Sequence, residues 1–309
     1  MAHASFADTD TTKGTVGLPL RSAVPRLFWP AAAMAAYVGA VSPNLNPDLV
    51  TAAALWLMLI GGLPHGAYDI ATGRRALMLD GKNAILLLLA YISIALLMAA
   101  IWLLSPGLAL SIFLLSAAIH FGEDWENLDT GLLRATAGAS VICVPAIFQP
   151  EEVAQLFVAM VGAHGEMISR IAVACAPVAI LVMLTALARA FLQGDREWTL
   201  AQATSFIGLA LLPPALGFTL FFVFLHSPLH MREVRRSLPD WASMRLALYG
   251  MGFCGLGLLG GLVFFGELLS DIPSEALASG FKILSILAAP HLLLRSFKEQ
   301  YVQARGLVG

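Results

Sequence analysis

The stretch AILLLLAYISIALLMAAIWLL, residues 84–104, decides the fold. It contains no charged side chain, and its length matches the roughly 20 apolar residues that an α-helix needs to cross a bilayer. Over all 309 residues, 59% are hydrophobic and only 12% are charged, and the mean hydropathy is +0.80. In soluble domains, about a quarter of all residues are charged. We therefore predict an integral membrane protein that is embedded in a lipid bilayer.

Net charge and cysteine content narrow the class further. The formal net charge of −2 gives no basic surface for a polyanion, so no nucleic-acid partner is expected. The three cysteines lie in apolar runs, and an odd number of such residues does not form a disulfide framework. Residues 1–26 are polar and small and lack an apolar core, which predicts a disordered tail and not a cleaved signal peptide. We expect one transmembrane domain over 27–298 and a short tail over 299–309.

The hydropathy pattern predicts an all-α polytopic bundle. A helical bundle is expected because each backbone polar group in lipid must be hydrogen-bonded internally. Pro213-Pro214 leaves open whether the seventh and eighth segments form one broken helix, so the count lies between eight and ten. The ten predicted segments are 27–43, 48–70, 84–104, 107–124, 132–149, 167–192, 199–212, 215–232, 244–267 and 277–296.

Positive charges predict the orientation of these segments. Arginine and lysine concentrate in the loops after the second, sixth, eighth and tenth segments, and before the first. Because such residues mark cytoplasmic loops, an even number of spans with both termini in the cytoplasm is expected. The intervening loops QPEEVAQLFVAMVGAHGE and GELLSDIPSEA are acidic or neutral, which agrees with this orientation.

Histidines are the unusual feature of the apolar segments. Five of the seven lie inside these segments, each near the predicted cytoplasmic end of its helix: His65, His120, His226, His230 and His291. Chance would scatter them over both leaflets. Their common depth predicts that they converge between helices.

The histidine spacing favours a metal site. His226 and His230, in LHSPLH, are four residues apart and project from one helix face, as paired metal ligands do. His65 and His120 would complete a four-histidine site. Pro228 should loosen the helix between the pair, which is tolerated where the backbone lines a cavity. An all-imidazole site suits iron, zinc, copper or nickel, and the spacing does not choose among them.

Acidic residues accompany the single histidines. Asp69 follows His65 by four residues and Asp124 follows His120 by four. A ligating imidazole usually donates its second N–H to a carboxylate, so each aspartate is predicted to orient the histidine of its own motif. Glu123 and His291 are assigned either to support of the ligands or to contact with a substrate.

Other readings of these residues remain open. A single histidine at a helix end can be an interfacial residue, and paired histidines on two helices are typical of haem-b electron-transfer proteins. A transporter could use histidines as a proton relay. Against a transporter stands the concentration of these residues in one leaflet, since a transport path needs polar groups on both sides of the midplane.

Four motifs together carry a family resemblance. LPHGAYD, AIHFGEDW, FLHSPLHMREV and AAPHLL, in this order between about residues 48 and 296, resemble the Brp/Blh family of membrane β-carotene 15,15′-dioxygenases. The resemblance implies non-haem Fe(II) on His65, His120, His226 and His230. It implies cleavage of β-carotene by O2 at the central double bond, with two all-trans-retinal as product, and a bacterial inner-membrane location with retinal passed to a rhodopsin.

The substrate implied by this resemblance is a long hydrocarbon that stays in the bilayer. We therefore expect an apolar tunnel that sets the cleavage position, and the histidine depth predicts that it runs obliquely or in the membrane plane. Aromatic residues near the motifs are the candidate walls: Tyr68, Phe121, Trp125, Phe222 and Tyr249.

Overall fold

All regular structure that the computed structural model describes is helical. The described residues are 24–41, 44–264, 266–270 and 273–304. The predicted tail 1–26 lies almost wholly outside them, as do residues 305–309. The α-helices are α1 (Phe28–Val41), α2 (Pro47–Gly62), α3 (Asp69–Ala76), α4 (Gly81–Leu104), α5 (Pro106–Gly122), α6 (Gly131–Phe148), α7 (Pro150–Val161), α8 (His164–Leu192), α9 (Arg196–Leu211), α10 (Pro214–Phe221), α11 (Ser227–Ser237), α12 (Ser243–Phe264) and α13 (Pro273–Ala304).

Several connections between helices in the described part of the chain are helical themselves. Leu63–Tyr68 and Glu123–Trp125 are 3₁₀-helices, and Phe222–His226 is a π-helix that joins α10 to α11. These three departures from α geometry fall at the histidine motifs, where π-bulges and 3₁₀ turns commonly mark functional positions. Another short 3₁₀-helix, Gly266–Leu269, precedes α13.

The predicted membrane bundle is confirmed. Within the described residues, eight helical stretches are long and apolar enough to cross a bilayer. The predicted segments 27–43 and 199–212 are also helices, α1 and α9, but they have only 14 and 16 residues. The eight stretches are Pro47–Ala76, Gly81–Leu104, Pro106–Trp125, Gly131–Phe148, His164–Leu192, Pro214–Ser237, Ser243–Val263 and Ser274–Arg295.

Local sequence signals explain where the helices begin. Asp80 caps α4 by accepting a hydrogen bond from the backbone N–H of Asn83 at 2.8 Å, and Thr130 caps α6 in the same way. Pro106 and Pro150 open α5 and α7, where the missing N–H costs nothing. Pro213-Pro214 separates α9 from α10, so the two predicted segments on either side are separate helices.

One helix was not expected from the sequence. Residues 150–161 lie in a loop predicted to be acidic or neutral, but they form α7. Its 12 residues extend for about 18 Å, too short for the roughly 30 Å of a hydrocarbon core. Its apolar face packs against α5, α6, α8 and α13.

Glycines bring α5 and α6 into close contact beneath the site. A Cβ on Gly138 would lie 2.2 Å from the carbonyl oxygen of Ala118, and one on Gly122 would lie 2.6 Å from that of Arg134. Both values are far below ordinary contact, so only glycine fits, as is usual where membrane helices cross closely. This contact fixes the end of α5 that carries His120.

Candidate metal centre

Three buried histidines converge from two sides of the bundle. His120 lies in the last turn of α5, His226 ends the π-helix and His230 lies in the first turn of α11. Their rings are close, with centroids 4.7 Å apart for His120 and His226 and 4.3 Å apart for His226 and His230. Pro228 follows the π-helix directly, which agrees with the predicted irregular backbone.

The nitrogen positions fit a single metal ion. One ligand atom from each of these three histidines lies within 4.8 Å of the other two. The Nε2 atoms of His120 and His226 are 2.9 Å apart. Two imidazole nitrogens that each bind one ion at about 2.1 Å lie no more than about 4.2 Å apart. The Nε2 atoms of His120 and His226 are therefore close enough to bind one ion together.

A carboxylate fixes the ring of His226. Nδ1 of His226 lies 2.8 Å from Oδ2 of Asp124, and the two side chains are 0% and 8% exposed. A carboxylate only accepts hydrogen bonds, so Nδ1 of His226 is the donor. Nε2 of His226 is then left with a lone pair directed toward His120. This is the tautomer that a metal ligand requires.

His291 on α13 has the same arrangement. Its Nδ1 donates to Asp69, 2.8 Å from Oδ2, and Asp69 also accepts from the hydroxyl of Tyr91 at 2.9 Å. The ring of His291 lies 5.2 Å from that of His120, edge to face. The structure therefore brings four of the five intramembrane histidines together. The side chain of the fifth, His65, lies outside the described residues.

An arginine links the remaining two histidines. Arg295 forms ion pairs with Glu123 and, at 3.2 Å, with Glu233. Glu123 lies 3.3 Å from Nδ1 of His120, and the guanidinium of Arg295 donates to Nδ1 of His230 at 2.5 Å. Charged groups thus lie beside Nδ1 of both rings. Because Arg295 can only donate, Nδ1 of His230 accepts here, and Arg295 has to release it before a neutral His230 can bind a metal through Nε2.

The predicted pairing of histidines with aspartates requires a correction. Asp124 contacts His226 and not His120, and Asp69 contacts His291. The predicted i, i+4 pairing assumes α-helical geometry, but Asp124 lies inside the 3₁₀ segment Glu123–Trp125 and Asp69 directly follows the 3₁₀ segment Leu63–Tyr68. Because a 3₁₀-helix has three residues per turn, it is Glu123, three residues after His120, that faces His120.

An apolar cavity borders these histidines. His120 and His291 are its polar members, and its other walls include Phe121 on α5 and Phe222 on the π-helix. Phe121 and Phe222 therefore lie where the sequence predicted a tunnel wall. A separate polar cavity, also bordered by His291, is lined by Glu233 and other charged residues.

The other predicted wall residues do not line the apolar cavity. Tyr68 is buried and donates to the carbonyl oxygen of Leu246 at 2.6 Å. Trp125 packs edge to face against Trp198, and Tyr249 is 51% exposed beside Trp241. The 3₁₀ turn at 123–125 directs Trp125 toward α9 and away from the cavity.

Sequence reasoning missed three residues of the site. Tyr91 is a single polar residue in an otherwise apolar span, and Arg295 was interpreted only as a mark of orientation. Glu233 had a detectable signal, because HFGE and HMRE repeat a histidine and a glutamate three residues apart. Both pairs face each other in the structure, at 3.3 Å for His120 and 3.9 Å for His230.

Fold and site together define a membrane-embedded helical protein with a buried histidine centre that can bind a metal. Comparison with known proteins identifies the family. A family model described as beta-carotene 15,15′-dioxygenase matches residues 56–298, and the chain belongs to this family. The chain is thus an oxidoreductase of the dioxygenase class, which confirms the enzyme class predicted from the motifs.

A curated relative supports this assignment. Beta-carotene 15,15′-dioxygenase of the uncultured marine bacterium 66A03 is 29% identical over 271 residues, which cover 81% of this chain and 94% of the relative. No solved structure matches the chain.

Proposed function

We propose that this chain cleaves β-carotene with O2 at the central 15,15′ double bond and releases two molecules of all-trans-retinal. The observation that carries the proposal is the direct contact between a buried histidine cluster and an apolar, aromatic cavity in a chain of this family. In the reaction, one carbon–carbon double bond is broken, both carbons become aldehydes, and O2 is the oxidant.

The cofactor that we propose is non-haem Fe(II), held by His65, His120, His226 and His230. The close imidazole nitrogens and the carboxylate behind His226 support this assignment for the described members of the set. Neutral imidazoles suit iron and leave coordination positions free for O2. When bound, Fe(II) supplies the O2 activation that amino-acid side chains cannot perform themselves.

The protein side chains orient this centre and keep water out of it. Asp124 holds the ring of His226 in the tautomer that carries its proton on Nδ1, and Asp69 does the same for His291. His291 borders the apolar cavity, so we assign it to support of the centre or to contact with the substrate. The phenyl rings of Phe121 and Phe222 give the polyene an apolar contact surface and exclude water from the reacting bond.

The proposed setting is the bacterial inner membrane, with both termini and the histidine ends of the helices toward the cytoplasm. The arginines of α11, Arg232, Arg235 and Arg236, support this orientation because they follow the histidine pair directly. A substrate dissolved in lipid can reach such a site without passing through water, and the retinal that forms would pass to a rhodopsin.

Metal analysis combined with product analysis tests the proposal. Detergent-purified wild type is compared with a His226→Ala, His230→Ala double variant, and with His164→Ala as a control because His164 is exposed at the start of α8. We expect about one iron per chain and retinal formation in wild type and control, and loss of both in the double variant.

Two results would contradict the proposal. Metal-free wild type that still forms retinal would exclude the histidine metal site from the reaction. A Soret band in the absorption spectrum of the active protein would replace non-haem iron by haem. If the purified protein lacks iron and activity, reconstitution with Fe(II) under reducing conditions precedes the comparison.

A further inference from the structure

Apolar residues extend from the histidines along their helices at regular spacing. On α5 the residues that precede His120 at successive turns are Ala117, Phe113 and Leu110. On the π-helix and α10, the residues that precede His226 in the same way are Phe222, Phe218 and Pro214. Residues three or four apart share one helix face, so each helix presents a continuous apolar stripe.

These stripes line the apolar cavity at His120, here called the first cavity, and a second apolar cavity that adjoins it. The first cavity contains His120 and His291, and the second contains no histidine. Phe113, Ala117, Phe121 and Phe218 belong to the walls of both. The rings of Phe121 and Phe218 are 6.2 Å apart, so they form the boundary between the two spaces.

Helix geometry gives the length of this path. Leu110 lies at the far end of the second cavity and precedes His120 by ten residues. A rise of 1.5 Å per residue separates them by about 15 Å along α5. The cavities therefore extend along α5 for about this distance from His120.

The short helix α7 closes the far end of the second cavity. Val153, Leu156, Phe157 and Met160 line the cavity from one face of α7, at positions i, i+3, i+4 and i+7. The opposite face is exposed at Gln155. Phe157 and Met160 are 6% and 4% exposed, so the wall they form is closed to solvent.

We propose that the second cavity receives one hydrocarbon arm of the substrate, and that α7 ends this cavity and so sets which double bond lies at the histidines. The occupant is an apolar polyene arm because the cavity is lined entirely by apolar side chains, which leave a polar ligand group without a hydrogen-bond partner. This inference rests on the proposed carotenoid cleavage. It goes further by assigning positional specificity to Phe157 and Met160, which line the same cavity as Leu110.

Opposite substitutions at Met160 test the proposal. Met160→Trp shortens the cavity and Met160→Ala lengthens it, while Gln155→Trp places the same large ring on the exposed face of α7 as the control. Each variant is given β-carotene and an apocarotenal that keeps one complete ring-bearing half but has a shortened second arm. Products are identified by chromatography, and bound metal is measured as the test of intact folding.

The two Met160 variants should respond differently. For Met160→Trp we expect β-carotene cleavage to fall about tenfold or more, with a much smaller loss for the short-armed substrate, since misfit in an apolar pocket discriminates by about this factor. For Met160→Ala we expect aldehydes of unequal length from β-carotene beside retinal. Gln155→Trp should match wild type with both substrates.

Failure of this inference differs from failure of the proposed function. If wild type forms no retinal from β-carotene, the proposed function is wrong. If wild type forms retinal, and the metal-loaded Met160 variants convert both substrates at wild-type rates to retinal alone, the role of α7 is refuted. Should Met160→Trp not retain metal, the product distribution of Met160→Ala decides.

Discussion

Replacing Asp124 by asparagine is the sharpest perturbation of the proposed centre. The carboxylate accepts from Nδ1 of His226 at 2.8 Å, and neither side chain has more than 8% of its surface exposed. Asparagine keeps an oxygen of similar position but removes the negative charge. The substitution therefore weakens a charge-assisted hydrogen bond without opening a cavity.

The size of the effect follows from this geometry. Loss of a carboxylate behind a metal-bound histidine typically costs 10- to 100-fold in metal affinity, which corresponds to about 1.4–2.8 kcal/mol. Because asparagine can still accept from Nδ1, we expect Asp124→Asn to weaken metal binding by about tenfold. Asp124→Ala removes the acceptor as well and should approach about 100-fold.

Competition with a chelator measures this affinity in detergent-purified protein, with Fe(II) under anaerobic conditions and Co(II) as a spectroscopic probe of the ligands. Asp129→Asn is a matched control, since Asp129 is exposed and pairs with Arg189 on the bundle surface. We expect wild-type affinity for the control. Wild-type affinity for both Asp124 variants would refute the argument that this carboxylate orients a metal ligand.

Two further predictions concern stability. Gly138→Ala places a methyl group 2.2 Å from the carbonyl oxygen of Ala118, so α5 and α6 must separate, and we expect a loss of about 1–3 kcal/mol. Gly131→Ala is the control, because nothing lies within 4 Å of a Cβ at this position, and its thermal unfolding should show no such loss. Equal melting temperatures for the two glycine variants would contradict this view of the helix contact. Arg295→Met removes the cation beside Glu123, whose side chain is only 18% exposed, and should cost about 3 kcal/mol. Arg189→Met breaks the surface pair with Asp129, whose side chains are 40% and 74% exposed, and should cost less than about 1 kcal/mol. Similar melting temperatures for the two arginine variants would therefore argue against a buried charge network around Arg295.

Much of the chemistry of the site is readable in the sequence. The positions of histidines at one end of their apolar segments predict convergence, and four of them do meet in the structure. The H-x3-H spacing predicts that His226 and His230 share a helix face, and their ring centroids do lie 4.3 Å apart, although His226 ends the π-helix and His230 belongs to α11. Local spacing succeeds here because both partners lie within about one turn of a continuous helical stretch.

Partners from different helices could not be assigned in this way. Asp124 and His226 are 102 residues apart, and Asp69 and His291 are 222 apart. Nothing in either motif specifies the other, and Asp124 lies in a 3₁₀ segment while Asp69 directly follows one, so the α-helical spacing behind the predicted pairing does not apply. The helix α7 differs in this respect, since Val153, Leu156, Phe157 and Met160 show its apolar face at helical spacing in the sequence, and only the cavity that this face closes needed the structure.

By itself, the sequence determined that this protein is a membrane helix bundle with histidines and carboxylates at one depth, because hydropathy and helical period are local properties of the chain. Only the tertiary structure decided which carboxylate orients which histidine, that Arg295 joins the two glutamates, and that the apolar cavity at His120 adjoins one lined by α7. Those features depend on how helices distant in sequence pack and rotate against each other, and close contacts such as that of Gly138 with Ala118 set this packing.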